Sequence, residues 1–287
     1  MPVVGWRHEG SATNNNDDDD DDDDVGDAVV GCVDVWCINL DQLTPEAWPD
    51  TLTADDLRRA GRFVRPSQRE HFLQARCCLR TLLGRYTQLA PPAPPWSFNA
   101  YGKPLLAPAH GLCFNLSHSG NLAAIAIGRQ SAPEKERGKE KEREKEMEAQ
   151  TRMEIGIDIE RLRTPDDLPG LARLVFCSAE CAAFEALAKD ERTRAFLTCW
   201  TRKEAYLKAL GVGLMLDPRR INVGLDARRA HIENLLEPGA VVVVDNLAQA
   251  DHAIDHAIIA LAICGNARQY SVRVRHFAAA TALEPAS

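Results

Sequence analysis

Acidic and basic side chains recur at short, regular spacings in two segments of this chain. Residues 154–160 read Glu-Ile-Gly-Ile-Asp-Ile-Glu, and residues 200–208 contain Lys203, Glu204 and Lys208. Carboxylate oxygens are hard ligands that suit Mg²⁺, and lysine ammonium groups neutralise phosphate. Residues of these types can serve metal-assisted chemistry, and ordinary solvated surface charge is the alternative.

The segment 154–160 is predicted to be a β-strand with two different faces. Side chains alternate along a strand, so the three isoleucines share the side that faces the core. Asp158 and Glu160 share the opposite side, about 7 Å apart at their bases. Two neighbouring carboxylates repel one another unless a cation lies between them. Taken alone, a solvated acidic edge strand explains this pattern equally well.

The second segment lies in a predicted helix over 196–210. Positions 200, 203, 204, 207 and 208 fall on one helix face, and three of them carry charge. A stripe that faces the core should not carry three charges, so this face either turns to water or serves a site. A weak surface pair between Glu204 and Lys208 is the simpler alternative. Gly211 follows directly as a natural C-cap.

A third polar segment, residues 114–120, reads Phe-Asn-Leu-Ser-His-Ser-Gly and combines a strand with a turn. Ser117, His118 and Ser119 can donate hydrogen bonds to phosphate. A serine–histidine catalytic pair is a rival interpretation. Against it, neighbours in a strand point apart, and the chain has no Gly-x-Ser-x-Gly elbow here. An ordinary polar turn is the third alternative.

In this order along the chain, the motifs resemble those of the 4′-phosphopantetheinyl transferase superfamily. They are Asn115-Leu116-Ser117-His118-Ser119, Gly156-Ile157-Asp158-Ile159-Glu160, Trp200-x-x-Lys203-Glu204-Ala205-x-x-Lys208 and Gly211-x-Gly213-Leu214. Upstream, Gly102-Lys103-Pro104 resembles the family's GKP element. Arg59 and Arg76-x-x-Leu79-Arg80 resemble its N-terminal basic positions. The resemblance covers about residues 28–275.

The resemblance implies transfer of the phosphopantetheine arm of coenzyme A to a serine of an apo acyl or peptidyl carrier protein. Adenosine 3′,5′-bisphosphate is the other product. The implied Mg²⁺ ligands are Asp158, Glu160 and Glu204, and the implied catalytic residues are Asp158, Glu204 as candidate base, and Lys208. The implied coenzyme A contacts are Arg59, Lys103, Pro104, Asn115, Ser117, His118, Lys203 and Lys208.

Two other functions stay open at this point. One is a magnesium-dependent phosphoryl transferase that acts on another substrate, although no Walker loop or Gly-rich nucleotide cradle supports it. The other is a non-catalytic module that binds coenzyme A or carrier proteins. Such a module has no need of the metal carboxylates, and all three are present.

The bulk composition limits the partners that we expect. The formal net charge of −8 equals that of the eight consecutive aspartates Asp17–Asp24, so the rest of the chain is balanced. This balance favours neither nucleic acid nor a membrane surface as a partner. The nine cysteines are scattered without zinc-ligand spacing, which is typical of reduced thiols in a cytoplasmic protein. We find neither a signal-peptide pattern nor an apolar run long enough to cross a bilayer.

The predicted fold class is α+β, a pseudo-dimer of two similar lobes with the active site in the cleft between them. Each lobe is expected to contain a small antiparallel sheet packed with a long helix. The predicted divisions are a disordered acidic tail (1–27), an N-terminal lobe (28–129), a charged insertion (130–151), a C-terminal lobe with the metal site (152–277) and a tail (278–287). By resemblance to the larger, surfactin-synthetase-type members, a single chain of this length is expected to act as a monomer.

Overall fold

A computed structural model describes residues 31–43, 50–92, 94–130, 153–226, 240–245, 256–265 and 270–277. The helices are α1 (Ala54–Ala60), α2 (Pro66–Thr87), α3 (Leu168–Val175), α4 (Ser178–Ala186) and α5 (Arg192–Leu210). The strands are β1 (Gly31–Asn39), β2 (Trp96–Phe98), β3 (Pro104–Leu106), β4 (Leu112–Ser119), β5 (Leu122–Gln130), β6 (Glu154–Arg161), β7 (Ala240–Asp245), β8 (Ala257–Gly265) and β9 (Tyr270–His276). The predicted tails 1–27 and 278–287, and the insertion after Gln130, lie outside the described residues.

Two larger sheets and a short hairpin form the β-structure. The first sheet has the order β4-β5-β1-β9, the second has the order β6-β8-β7, and β2 pairs with β3. The long helices α2 and α5 pack on the first and the second sheet, respectively. This arrangement confirms the predicted α+β fold class with two lobes. Within the described residues, no helix is both long and apolar enough to cross a membrane.

The hydrophobic core has its central layer between the two sheets. Ile155, Ile157 and Ile159 of β6 pack there with Val33 and Val35 of β1. The predicted core face of the 154–160 strand is therefore confirmed. The opposite face of β6 packs on α5, because these two elements approach closely at a glycine. That face carries the acidic residues of the motif.

The last strand departs from the predicted division of the chain into lobes. β9 pairs in parallel with β1, so it belongs to the first sheet although its residues lie within the predicted C-terminal lobe. Its register places Arg273 opposite Asp34, and the Arg273 Nε donates to Asp34 Oδ1 at 2.7 Å. Arg275 Nε donates to the same oxygen at 3.0 Å. The Asp34 carboxylate, which both arginines share, therefore holds β9 at the edge of the first sheet.

Gly156 is the point at which β6 and α5 touch. A Cβ atom at this position would lie 2.1 Å from the backbone oxygen of Ala205 and 2.3 Å from the backbone nitrogen of Ala209. Both contacts are with helix backbone, which cannot move aside as a flexible side chain would. The missing side chain therefore allows the helix that carries Glu204 and Lys208 to approach the strand that carries Asp158.

Gly156→Ala is expected to lower the free energy of unfolding by about 3 kcal/mol, the upper range for overpacking a core. The added methyl group would push α5 away from β6. Equilibrium urea unfolding measures this change. Gly61→Ala is the matched control, because a Cβ there meets its nearest atom at 3.4 Å and the backbone φ is −63°. Similar losses for the two variants would contradict the close-approach explanation.

Candidate active site at the junction of the two lobes

The edge strands β4 and β6 run side by side, and side chains join them. Asn115 Oδ1 accepts the Ile157 N–H at 3.1 Å, and Ser119 Oγ accepts the Arg161 N–H at 3.2 Å. Alternate residues of a strand point to the same side, so Asn115, Ser117 and Ser119 all face β6. We call this junction the lobe seam. It brings a polar motif of the first lobe against the acidic motif of the second.

A hydrogen-bonded cluster of three side chains lies at the middle of the lobe seam. Ser117 Oγ donates to Asp158 Oδ1 at 2.8 Å. The Lys208 ammonium donates to the same carboxylate oxygen at 2.6 Å and to Ser117 Oγ at 3.0 Å. The cluster thus joins β4, β6 and α5 at one point. The structure confirms that Asp158 and Lys208 are neighbours, which the sequence motifs alone did not establish.

Glu160 lies beside this cluster and is bound by a hydroxyl group of the first lobe. Ser119 Oγ donates to Glu160 Oε2 at 2.7 Å. The indole of Trp200, on α5, lowers the pKa of the same carboxylate, against the larger raising effect of burial. Glu204 is half-buried one helical turn further along α5. We refer to Asp158, Glu160 and Glu204 as the carboxylate cluster.

Burial raises the pKa of all three members of the carboxylate cluster. For Asp158, burial outweighs the opposing effects of Lys208 and Ser117. The pKa of Glu160 is raised by burial and then by Asp158. The pKa of Glu204 is raised by burial and by both other carboxylates, against the lowering effect of Lys208. Three acids with one ammonium group leave excess negative charge in a partly buried site, which a divalent cation would balance.

The residues present fit Mg²⁺ in their chemistry. Asp158 Oδ2 is buried and has no hydrogen-bond partner among the described residues. A buried carboxylate oxygen without a hydrogen-bond partner lowers the stability of the fold unless a ligand binds it. The three carboxylates supply the hard oxygen atoms that Mg²⁺ prefers. In the described ranges, no three acidic, histidine or cysteine side chains already converge as a finished metal site. The side chains would therefore have to turn toward the ion.

Lys203 does not reach the carboxylate cluster. Its ammonium group is fully buried and donates to Glu180 Oε2 at 2.5 Å, to the Val175 oxygen at 2.7 Å and to the Pro218 oxygen at 2.9 Å. These three acceptors use all three of its N–H groups. The expected contact of Lys203 with phosphate is therefore wrong. Positions 203 and 208 are about 140° apart around a helix, so they face different surroundings.

Two further predicted coenzyme A contacts are engaged in the protein. Lys103 Nζ donates to Glu154 Oε2 at 2.5 Å and to the Ala209 oxygen at 2.8 Å, at the end of α5. Asn115 is buried, and its amide oxygen accepts a hydrogen bond from the backbone of β6. Pro104, which begins β3 beside Lys103, belongs to the β2–β3 hairpin. The structure gives Lys103 and Asn115 roles in joining the lobes, and the binding of coenzyme A by these residues stays a prediction.

Arg59 and His118 are the predicted contacts that stay accessible to an anionic ligand. His118 is exposed and points to the face of β4 opposite Ser117. Loss of surrounding water lowers the pKa of His118, and the positive charges of Lys208, Arg76 and His71 lower it further. The Arg59 guanidinium lies 4.8 Å from the centre of the Phe98 ring. Arg59 carries a positive charge that pairs with Asp55 at 2.9 Å, whereas the lowered pKa of His118 favours its neutral form.

Sequence reasoning gave no site role to Trp200, and it gave Ser119 only a general ability to bind phosphate. In the structure, Ser119 donates to Glu160, and the Trp200 indole lowers the pKa of the same carboxylate. The signal for Ser119 was available, because it follows Asn115 and Ser117 at a spacing of two in one strand. Trp200 precedes Glu204 by one helical turn, which is the corresponding signal in α5.

Comparisons with known proteins agree with this geometry. The sequence model described as the 4′-phosphopantetheinyl transferase superfamily matches residues 154–261, which include the whole carboxylate cluster. The 4′-phosphopantetheinyl transferase HetI of Nostoc sp. is 37% identical over 189 residues, which are 63% of this chain and 70% of HetI. The 4′-phosphopantetheinyl transferase Sfp of Bacillus subtilis is 27% identical over 177 residues, which are 62% of this chain and 68% of Sfp.

A solved structure is also similar over part of the chain. It is a holo-(acyl-carrier-protein) synthase from Bacillus anthracis in complex with coenzyme A, 21% identical, and it covers 40% of this chain and 96% of its own. Its TM-score of 0.34 is too low to bear on function. The similarity to HetI is high enough and long enough to decide the family. This chain belongs to the 4′-phosphopantetheinyl transferase superfamily.

Proposed function

We propose that this chain transfers the 4′-phosphopantetheine group of coenzyme A to a serine of an apo acyl or peptidyl carrier protein, with Mg²⁺ on the carboxylate cluster. The observation that carries the proposal is the contact of Lys208 and Ser117 with Asp158, whose other oxygen is left without a partner among the described residues. This cluster joins a phosphate-neutralising ammonium to a cation-binding carboxylate. Asp158 and Lys208 lie within the segment that the superfamily model matches, and Ser117 precedes it.

The reaction forms one oxygen–phosphorus bond and breaks another. The carrier serine oxygen attacks the β-phosphorus of coenzyme A, and adenosine 3′,5′-bisphosphate leaves with the bridging oxygen. When bound, Mg²⁺ would supply Lewis acidity and charge neutralisation at the pyrophosphate. Asp158, Glu160 and Glu204 would hold it. Lys208 contributes fixed positive charge beside the same phosphates.

Glu204 is the candidate acceptor of the serine proton. Its raised pKa makes it a better base than an exposed glutamate, because an acceptor works best when its pKa is near the working pH. Arg59 and His118 provide accessible side chains for the remaining phosphate of coenzyme A. Ser117 helps to hold both Asp158 and Lys208 in place. These groups thus divide binding, orientation and proton transfer among them, and Glu204 takes part in both metal binding and proton transfer.

The proposal also covers the assembly and the compartment. Both edge strands of the lobe seam come from one chain, which supports action as a monomer. The nine cysteines, all within the described ranges, form no disulfide, which supports a cytoplasmic location. Neither nucleic acid nor a membrane is expected as a partner.

Incubation of the full chain with coenzyme A, Mg²⁺ and a panel of apo carrier proteins tests this function. Intact-mass spectrometry should show one phosphopantetheine group added to the acceptor serine of at least one carrier. A carrier with that serine changed to alanine is the control and should gain no mass. Absence of a mass gain on every carrier would contradict the proposal. It would then favour either a transferase that acts on another substrate or a binding module.

The effect of Mg²⁺ on stability should depend on pH. The pKa values of the carboxylate cluster are raised on folding, so the folded chain holds these protons more tightly than the unfolded chain. Without a cation, the cluster therefore costs stability as pH rises from about 4, the ordinary carboxyl pKa. Added Mg²⁺ should raise the melting temperature more at about pH 8 than at about pH 5. Thermal denaturation measures this difference.

Glu204→Gln is the control for this pH dependence. Removing one charge should reduce both the stability cost and the gain that Mg²⁺ provides. Other acids also titrate over this range, so the informative quantity is the difference between wild type and the variant. An equal Mg²⁺ effect in both proteins would place the ion elsewhere.

A further inference from the structure

Ser119 uses its hydroxyl group in two directions at the lobe seam. Its oxygen accepts the Arg161 N–H at 3.2 Å, and its proton goes to Glu160 Oε2 at 2.7 Å. A hydroxyl has one proton to donate, so the bond from the backbone of β6 helps to aim that proton at the carboxylate. The hydroxyl is thus fixed by the second lobe while its own backbone belongs to the first.

The three alternate side chains of β4 differ in what they hold. Asn115 Oδ1 binds only the backbone of β6, through the Ile157 N–H. Ser117 binds Asp158 and Lys208. Ser119 binds both the backbone of β6 and Glu160. Asn115 therefore only joins the two strands, whereas Ser117 and Ser119 bind carboxylates across the lobe seam.

We infer that Ser119 is a positioning residue that orients Glu160 toward a divalent cation. The inference rests on the proposed metal role of the carboxylate cluster. A hydrogen bond to one oxygen of a ligating carboxylate fixes its rotation and leaves the other oxygen directed at the ion. Without the Ser119 hydroxyl, Glu160 would be repelled by Asp158 and turn toward water.

A consequence follows for the two lobes. Glu160 belongs to the second lobe and is held by a hydroxyl group from the first. A variant that weakens contacts in the lobe seam without touching a carboxylate should lower stability first. A variant that removes the Ser119 hydroxyl should lower metal affinity first. These two effects can be measured separately on the full chain.

Binding of Mn²⁺ as a probe for Mg²⁺, with coenzyme A present at saturation, measures the metal affinity through loss of the free-ion EPR signal. Ser119→Ala is expected to weaken Mn²⁺ binding about 10-fold or more. Its melting temperature should fall less than that of Asn115→Ala, because the backbone bond that Ser119 accepts is exposed and the one that Asn115 accepts is buried. Ser119→Thr keeps a hydroxyl and should recover most of the affinity. Asn115→Ala should lower the melting temperature while the folded protein keeps its Mn²⁺ affinity. Ser97→Ala, at an exposed serine of β2, is the control.

The outcomes separate this inference from the proposed function. Wild-type protein that binds no Mn²⁺ would overturn the metal role and the inference together. Wild-type binding with an affinity for Ser119→Ala within about twofold, well below the effect expected for such a partner, would overturn the inference alone. Equal losses of affinity in Asn115→Ala and Ser119→Ala would also overturn it, because lobe packing would then be the cause. If Ser119→Ala does not fold, Ser119→Cys keeps a side chain of similar size with a weaker donor.

Discussion

Glu204→Gln is expected to reduce transfer to the carrier protein by about 10²–10⁴-fold while coenzyme A still binds. The amide keeps the size of the side chain but removes the negative charge and the proton acceptor. Glu204 is half-buried, and the negative charges of Asp158 and Glu160 both raise its pKa. The variant therefore also removes the repulsion between Glu204 and these two carboxylates. We therefore expect the unliganded variant to be at least as stable as wild type.

Two measurements check this prediction for Glu204. Steady-state kinetics with an apo carrier give kcat/KM, and calorimetric titration gives the affinity for coenzyme A without Mg²⁺. Glu185→Gln, at an exposed glutamate of α4, is the matched control and should keep full activity. Activity of Glu204→Gln within tenfold of wild type would show that Glu204 is neither the base nor an essential ligand. A pure binding module would behave normally with this change.

Lys203→Met is expected to lower the free energy of unfolding by about 3–5 kcal/mol. The Lys203 side chain has 0% of its surface exposed and pairs with Glu180, whose side chain is 1% exposed. Loss of the Lys203 ammonium group would leave the Glu180 carboxylate buried without its cation. Glu180 also accepts the backbone N–H groups of Cys177 and Val223, so the loss would spread to the segments around α4 and α5.

Urea unfolding of three variants tests this assignment. Lys208→Met is the matched control, because its side chain is 27% exposed and its loss should cost activity more than stability. The double variant Glu180→Gln with Lys203→Met should regain part of the lost stability, since no unpaired carboxylate remains. A small effect of Lys203→Met on unfolding, combined with a large effect on coenzyme A affinity, would return Lys203 to the phosphate site.

Local patterns were sufficient to predict the main elements of the two lobes. Thr53 is the N-cap of α1, where its hydroxyl and the Asp56 carboxylate form a capping box, a feature that depends on residues only three positions apart. The isoleucines of β6 alternate as a strand with one buried face requires, and they lie in the central core. These features depend on residues within one or two turns of each other, so sequence spacing determines them.

Contacts between distant segments could not be predicted from spacing alone. Lys203 lies on the same predicted helix face as Lys208, but its partner Glu180 is 23 positions away. The bond between Ser119 and Glu160 joins residues 41 positions apart, across an insertion. Which side of α5 meets the carboxylates depends on the close approach at Gly156. Sequence spacing assigned a role only to Gly211, as the C-cap of α5, and gave no role to Gly156.

The parallel pairing of β9 with β1 has a consequence for synthesis of the chain on the ribosome. Arg273 and Asp34 lie 239 positions apart, yet they meet within one sheet. Most of the first lobe is therefore synthesised long before its last strand. Until β9 is synthesised, one edge of β1 has no partner strand. Nascent chains arrested before β9 should expose that edge to chaperones or to other copies. Release of the final strand would then be the step that completes the first sheet.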